Sequence, residues 1–135
     1  MKQSLFSQYK EAIANFTDVK DRDNLLVKDC SGQRIYYAPF DYVNPKAKLF
    51  VIGITPGEQQ MENMLIEAKR LIRLGLSDEE IQKKCKPIGS FSGGMRKNLV
   101  TMMDHIGLAD YLGIESTAGL FDKHVIYVTS ARTKV

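Results

Sequence analysis

The chain has 135 residues, of which 44% are hydrophobic and 26% charged, as expected for one globular domain with an apolar core. Its net charge of +3 permits a basic patch for phosphate without requiring one. No segment approaches the roughly 20 apolar residues that span a bilayer, and the N-terminus lacks a secretory h-region. We therefore expect a cytoplasmic protein without membrane partners. The two cysteines, Cys30 and Cys85, lack metal-ligand spacing, so we expect no metal.

The first third of the chain predicts one helix and one short strand. Apolar side chains recur at helical spacing over residues 4–16. The polar stretch 17–32 predicts a loop. The segment QRIYYAP, residues 33–39, predicts a strand that ends at Pro39.

The central part predicts a buried strand followed by two helices. The run KLFVIGI, residues 48–54, is continuously apolar, as in strands covered on both faces of a parallel sheet. Residues 58–74 have helical periodicity, and Gly75 suits the end of that helix. Ser77 followed by Glu80 is a capping-box pattern, which predicts the start of a second helix.

The last third predicts a glycine-rich loop at residues 86–94, a helix that ends at Gly107, and a second apolar strand, HVIYVTSA, at 124–131. This order of strands and helices predicts a single α/β domain over residues 1–135, with a three-layer architecture in which helices flank a parallel sheet. An apolar strand close to Val135 leaves an unpaired edge. We expect either a fold that is incomplete at its C-terminus or one completed by another chain; the alternative is a short variant with a protected edge.

Two loops have the composition of ligand-binding loops. The first, GITPG at residues 53–57, follows the first buried strand, where open parallel sheets bind ligands. Taken alone, it is equally compatible with a plain strand-to-helix turn. The second, GSFSGG at residues 89–94, opens a helix whose N-terminal amides favour an anion such as phosphate. It is not a P-loop, because Met95 stands where the lysine is required.

Together with the last strand, these loops resemble the motifs of the uracil-DNA glycosylase superfamily. Three segments carry the resemblance, namely residues 53–57, 90–95 and 126–133. They are most similar to the G-E-A-P-G, P-F-V-G-x-A-G and V-Y-I-T-N-V-V-K motifs of one branch. The first is equally similar to the G-I-N-P-G loops of other branches. The resemblance covers about residues 35–135 and implies a uracil-DNA glycosylase-like fold.

The resemblance implies a site for a flipped-out DNA base. Phe91 matches the aromatic residue that stacks on the base, although a core position is the alternative interpretation. Thr55 stands where the family positions the attacking water. Glu58 is the nearest carboxylate, and a helix N-terminal charge is its alternative role. The remaining residues that the resemblance implies are Gly53, Pro56, Gly57 and Ser130 around the base, and Ser92, Gly93 and Gly94 at a DNA phosphate. Arg96 and Lys97 add positive charge beside this loop and are assigned to the same phosphate on that ground.

Several positions depart from the family pattern. Thr55 replaces an Asp or Asn, and a hydroxyl cannot act as a base near neutral pH. Ser130 replaces the Asn that reads the uracil edge. The family's histidine-containing motif would lie past Val135. The iron–sulfur cluster of the G-E-A-P-G branch needs four cysteines, so with two we expect no cofactor.

These features support three hypotheses. The first is a DNA base glycosylase that hydrolyses the N-glycosidic bond, with little activity on uracil from this chain. The alternative is a non-catalytic nucleic-acid or nucleotide-binding module of the same fold. The third is a small flavodoxin-like domain with an unrelated small-molecule site. In the first hypothesis the partner is DNA, single- or double-stranded.

Overall fold

A computed structural model describes residues 4–18, 20, 22–47, 49–53 and 55–122, together with the backbone of residues 127–130. Its helices are α1 (Leu5–Asn15), α2 (Glu58–Arg73), α3 (Asp78–Gly89), α4 (Gly94–His105), α5 (Leu108–Leu112) and α6 (Gly119–Asp122), and its strands are β1 (Leu26–Cys30), β2 (Gln33–Tyr36), β3 (Phe50–Gly53) and β4 (Tyr127–Ser130). A 3₁₀ turn, Asp23–Leu25, precedes β1. None of the helices within these residues combines the length and apolarity needed to cross a bilayer.

The chain forms two compact units. Unit 1 comprises Met1–Tyr42 and Gly57–Ile88, and unit 2 comprises Val43–Pro56 and Gly89–Val135. Unit 1 therefore contains α1, α2, β1, β2 and nearly all of α3. Unit 2 contains β3, β4 and the helices from α4 to α6.

Helices α1 and α2 supply most of the core of unit 1, and their apolar periodicity explains why. Helix α1 buries Phe6 and Ile13. Helix α2 buries an apolar stripe at three- and four-residue spacing, which is the side of a helix that faces a core. The residues of that stripe are Met61, Met64, Leu65, Ala68 and Leu71. The predicted helices over 4–16 and 58–74 are thus confirmed to within two residues at each end.

The capping box that predicts the start of α3 is confirmed. The carboxylate of Glu80 accepts hydrogen bonds from the hydroxyl of Ser77 at 2.6 Å and from its backbone N–H at 3.1 Å. These two bonds, in that order, hold the pKa of the Glu80 carboxyl below its ordinary value. Helix α3 continues to Gly89 and includes Pro87, so the loop predicted over 86–94 starts later than expected.

An antiparallel hairpin occupies part of the predicted loop over residues 17–32. Strand β1 pairs with β2, and Lys28 lies opposite Ile35. Ser31 and Gly32 connect the strands with φ angles of 52° and 80°, the left-handed pair that a tight hairpin turn requires. The prediction was wrong because polar side chains such as Lys28 are exposed on this hairpin, so composition did not distinguish strand from loop.

The predicted three-layer α/β fold is wrong. The described residues are mostly helical. Strand β3 pairs in parallel with β4, with Phe50 opposite Tyr127 and Gly53 opposite Ser130, but the described residues contain no larger sheet with helices on both faces. Phe50 and Ile52 are 56% and 71% exposed. A continuous apolar run was therefore misread as a strand covered on both faces.

Candidate functional site

The glycine-rich loop between α3 and α4 lies against the apolar cluster of unit 2. Met103, Leu120 and Phe121 are the buried residues of this cluster. Val51 of β3 and Phe91 of the loop are half-buried and pack against it. The loop is therefore anchored by one aromatic side chain, while its glycines lie at the start of α4.

The structure brings Phe91 and Gly53 together, two residues that the resemblance assigns to the base site. A Cβ atom added at Gly53 would lie 3.4 Å from Cζ and 3.7 Å from Cε1 of Phe91. The ring thus lies close to the backbone at the C-terminal end of β3. Phe91 has a φ angle of 51°, a left-handed conformation that is a genuine outlier for a bulky residue. Its placement therefore depends on support from neighbouring groups.

Ser130 is brought to the same place by strand pairing. It is the register partner of Gly53 in the parallel β3–β4 pair. Gly53 thus lies beside the ring of Phe91 and is paired with the backbone of Ser130. These three predicted base-site residues are grouped within unit 2. The side chain of Ser130 and the rest of its motif, at residues 126 and 131–133, lie outside the described residues.

The glycines of the loop have different conformational roles. Gly93 is the N-cap of α4, with φ 77° and ψ −146°, a region that is essentially restricted to glycine. Gly94 is the first helical residue and has open space where a Cβ would lie. Ser92 donates its N–H to the carbonyl of Gly89 at 3.5 Å. Helix α4 thus begins directly after a position, Gly93, whose backbone conformation is readily adopted only by glycine.

The two basic residues of this segment lie in different environments. Arg96 is half-buried and donates from Nε at 3.2 Å and Nη2 at 2.6 Å to the carbonyl oxygen of Ser90. Its Cζ lies 4.9 Å from the centre of the buried Phe121 ring, within range of a cation–π contact. Lys97 is exposed. Of the two predicted phosphate ligands, Arg96 binds the protein backbone and Lys97 faces solvent.

Thr55 and Glu58, the predicted catalytic residues, belong to different units. Thr55 is exposed, and its hydroxyl donates a long bond of 3.4 Å to the carbonyl of Pro56. Glu58 begins α2, directly after its N-cap Gly57. Its carboxylate lies 2.8 Å from Nη1 of Arg22 in an exposed ion pair. Glu58 therefore has the helix N-terminal position that was its alternative interpretation.

The surface around Glu58 is acidic. A shallow depression of about 460 Å³ is lined by Asp18, Lys20, Glu58, Gln59 and Glu62. Because Arg22 is paired with Glu58, two carboxylates remain against one lysine in this lining, and this balance does not favour a phosphate backbone. Across the described parts of the chain, no group of three or more His, Cys, Asp or Glu side chains is placed to hold a metal ion.

Sequence reasoning missed two polar anchors that require tertiary contacts. Asp104 accepts hydrogen bonds from the hydroxyl of Ser116 and from the N–H of Thr117, both at 2.7 Å. The Thr117 backbone, then the Thr117 and Ser116 hydroxyls, lower the pKa of this carboxyl. In unit 1, the buried Lys86 donates to the carbonyl of Tyr42, and its burial lowers its pKa. The Ser116-Thr117 pair before a helix was the available signal for the first anchor.

The buried thiol of unit 1 is not a candidate nucleophile. Burial raises the pKa of Cys85 to about 12, so the reactive thiolate is scarce near neutral pH. Cys30, on β1, is partly exposed.

The comparisons with known proteins give one relative. No protein-family model matches the chain, and no solved structure matches it. The chain is 39% identical over 99 residues to the uncharacterized protein YoxB of Bacillus subtilis (strain 168). The alignment covers 71% of this chain and 39% of YoxB, so the chain spans well under half the length of that relative. These comparisons give no support to a uracil-DNA glycosylase assignment.

Proposed function

We propose that unit 2 is a binding module for a nucleobase with its attached phosphate, presented by single-stranded DNA or by a free nucleotide. The observation that carries the proposal is the placement of Phe91. Its ring adjoins Gly53 while its backbone has a strained left-handed conformation. Such strain in a bulky residue clusters at ligand-binding sites, and an aromatic ring accepts any base by stacking.

The surroundings of Phe91 suit the phosphate that accompanies a base. In the first turn of α4 the N–H of Arg96 already donates to the carbonyl of Gly93 at 3.2 Å, whereas the earliest amides of a helix have no acceptor inside it, and the helix dipole favours a negative charge there. Lys97 lies in the same turn and is exposed. The module therefore combines an aromatic surface with a weakly basic helix start, the two components of sequence-tolerant single-strand binding.

Hydrolysis of the N-glycosidic bond is the second candidate function, and the grouping of Thr55, Gly53 and Ser130 in unit 2 favours it. A threonine hydroxyl holds a water molecule without deprotonating it. Glu58 is occupied by Arg22 at the surface. Binding is therefore supported by more of the geometry than turnover.

Replacing Phe91 with alanine tests the proposal. Loss of one stacked base should weaken binding of a fluorescein-labelled oligo(dT) about 5- to 100-fold, since stacking is worth about 1–3 kcal/mol per base. Fluorescence anisotropy at low salt gives the affinity, with an abasic oligonucleotide and thymidine monophosphate as competitors. Competition by the mononucleotide alone would identify the free nucleotide as the ligand. Uracil release from labelled DNA, followed in parallel, tests the second candidate.

Phe50→Ala is the matched control. Phe50 is exposed on β3 and alternates with Val51 and Gly53, so its side chain projects from the opposite face of the strand. We expect the affinity of Phe50→Ala for oligo(dT) to stay within about twofold of the affinity of the unmodified protein. Equal losses in both variants, or no binding by the unmodified chain at low salt, would refute the proposed function.

A further inference from the structure

The carbonyl group of Ser90 is the most firmly held point of the glycine loop. Ser90 is 4% exposed, and its oxygen accepts two hydrogen bonds from the guanidinium of Arg96, at 2.6 and 3.2 Å. Bonds from a charged donor are stronger than those from a neutral one. The guanidinium is also stacked at 4.9 Å over the buried Phe121, which limits its movement.

Holding this carbonyl constrains the conformation of the next residue. The oxygen of Ser90 belongs to the peptide plane that joins Ser90 to Phe91, and planarity makes that plane rigid. Rotation of this peptide plane about the N–Cα bond of Phe91 changes the φ angle of Phe91. Two bonds to the oxygen therefore oppose a return of Phe91 from its φ of 51° to an ordinary negative value.

The support behind Phe121 is also specific. Phe121 lies on α6, and the turn before α6 is bonded to Asp104 of α4 through Ser116 and Thr117. Arg96 is on the same helix α4. Helix α4 thus carries both Arg96 and Asp104, and Asp104 anchors the turn that precedes Phe121.

We infer that Arg96 is a positioning residue, which holds Phe91 in its left-handed conformation at the base site, and is not a ligand of the phosphate. This inference rests on the proposed function. It revises the sequence-based prediction that Arg96 is a phosphate ligand. The planar fork of the guanidinium suits a two-bond grip on one oxygen, whereas the flexible ammonium of lysine does not.

The first experiment needs no ligand. The chain has six tyrosines but no tryptophan, so Phe91→Trp supplies a single indole at the position of interest, which is excited at wavelengths where tyrosine does not absorb. In this background, Arg96→Met should move the emission to longer wavelength and increase quenching by acrylamide, because the indole is released to solvent. Lys97→Met, the matched change one residue away, should leave both unchanged. Far-UV circular dichroism should be the same in all three proteins.

The second experiment uses oligo(dT) binding in the unmodified Phe91 background. Arg96→Met should weaken binding about 5- to 100-fold, the range for loss of base stacking, with an unchanged dependence on salt. Lys97→Met should instead lower the slope of log affinity against log salt by about 1, as expected for loss of one phosphate contact. Arg96→Lys keeps the charge and serves where the methionine variant does not fold. The affinity of Arg96→Lys for oligo(dT) should be as low as that of Arg96→Met. If Arg96 instead contacted a phosphate, lysine would largely preserve that contact and the affinity.

The outcomes separate the two proposals. A salt slope that falls in Arg96→Met as in Lys97→Met, or rescue by Arg96→Lys, would make Arg96 a phosphate ligand and overturn the inference. Unchanged indole fluorescence when an Arg96 substitution is added to Phe91→Trp would overturn it equally. If the unmodified chain binds no oligonucleotide or nucleotide, the proposed function fails, while the fluorescence comparison still decides whether Arg96 positions the side chain of the preceding loop.

Discussion

The two units differ in how much apolar surface their described side chains bury. Unit 1 buries continuous apolar stripes of long helices, with Leu65 and Ile81 completely inaccessible. Among the side chains that the structure describes, unit 2 has a smaller buried cluster, around Met103 and Phe121, and the other side chains packed against it are only half-buried. Burial of apolar surface is non-directional, and unit 1 adds polar contacts between distant parts of the chain, such as those from Lys10 to Asp78 and from Lys69 to the carbonyl of Phe16.

In unit 2, directional bonds hold the segments around the candidate site. Arg96 holds Ser90, and Asp104 holds the turn before α6. Directional bonds fix geometry more closely than apolar packing, which suits a unit that keeps Phe91 in a strained conformation. The contrast implies that unit 1 supplies stability and that the geometry of the candidate site depends on a few polar anchors in unit 2.

A leucine-to-alanine pair gives the largest expected difference between the units. Leu65→Ala in α2 should lower the free energy of unfolding by about 2–5 kcal/mol, the range for a fully buried leucine. Leu99→Ala in α4 should lower it by about 1 kcal/mol, because Leu99 is half-buried and less apolar surface is lost. Both changes are in helices, so the intrinsic helix propensities cancel in the comparison. Urea denaturation followed by circular dichroism measures both, and equal losses would show that the two cores are equally closed.

A glycine pair tests the loop that begins α4. Gly93→Ala should cost about 1–3 kcal/mol, because alanine is strained at a φ of 77°. It should also weaken oligo(dT) binding, since relief of that strain displaces the loop that carries Phe91. Gly94→Ala is the matched control. It lies inside the helix with open space at the Cβ position, so it should be neutral or stabilise by up to about 1 kcal/mol. Similar thermal melting of both variants would mean that Gly93 has no special conformational role.

Local signals in the sequence predicted the long helices of both units. The periodicity over 58–74 and the capping pair Ser77 and Glu80 each involve residues within a few positions of one another, so neighbours in sequence determine them. The hairpin β1–β2 was missed because its exposed strands are polar and only Ser31-Gly32 marks its turn. Helices α5 and α6 are too short for periodicity to reveal.

The fold class and the role of Arg96 depend on contacts that no local pattern encodes. The run 48–54 is apolar in either interpretation, and only the three-dimensional arrangement leaves Phe50 and Ile52 exposed. The motif resemblance singled out Gly53 and Phe91, which are neighbours in space. It could not indicate that Arg96 contacts Phe121, because 25 residues separate them in the chain and a surface arginine beside a glycine loop is equally typical of a phosphate ligand.

The smallest predicted effect concerns the pH dependence of the anchor at Asp104. Hydrogen bonds from Thr117 and Ser116 lower the pKa of this carboxyl below its ordinary value of 3.8. A group whose folded pKa is depressed stabilises the fold fully above its unfolded pKa and loses that contribution as the pH falls through the folded pKa.

Asp104→Asn should therefore unfold at a lower urea concentration than the unmodified protein at pH 7, and this difference should shrink below about pH 4. Asp110→Asn, at an exposed position on α5 of the same unit, is the control and should not reproduce this pH-dependent difference. Urea midpoints from pH 7 to pH 2.5 test it. A difference between Asp104→Asn and the unmodified protein that stays constant over this range would show that the charge of Asp104 does not stabilise the turn before α6.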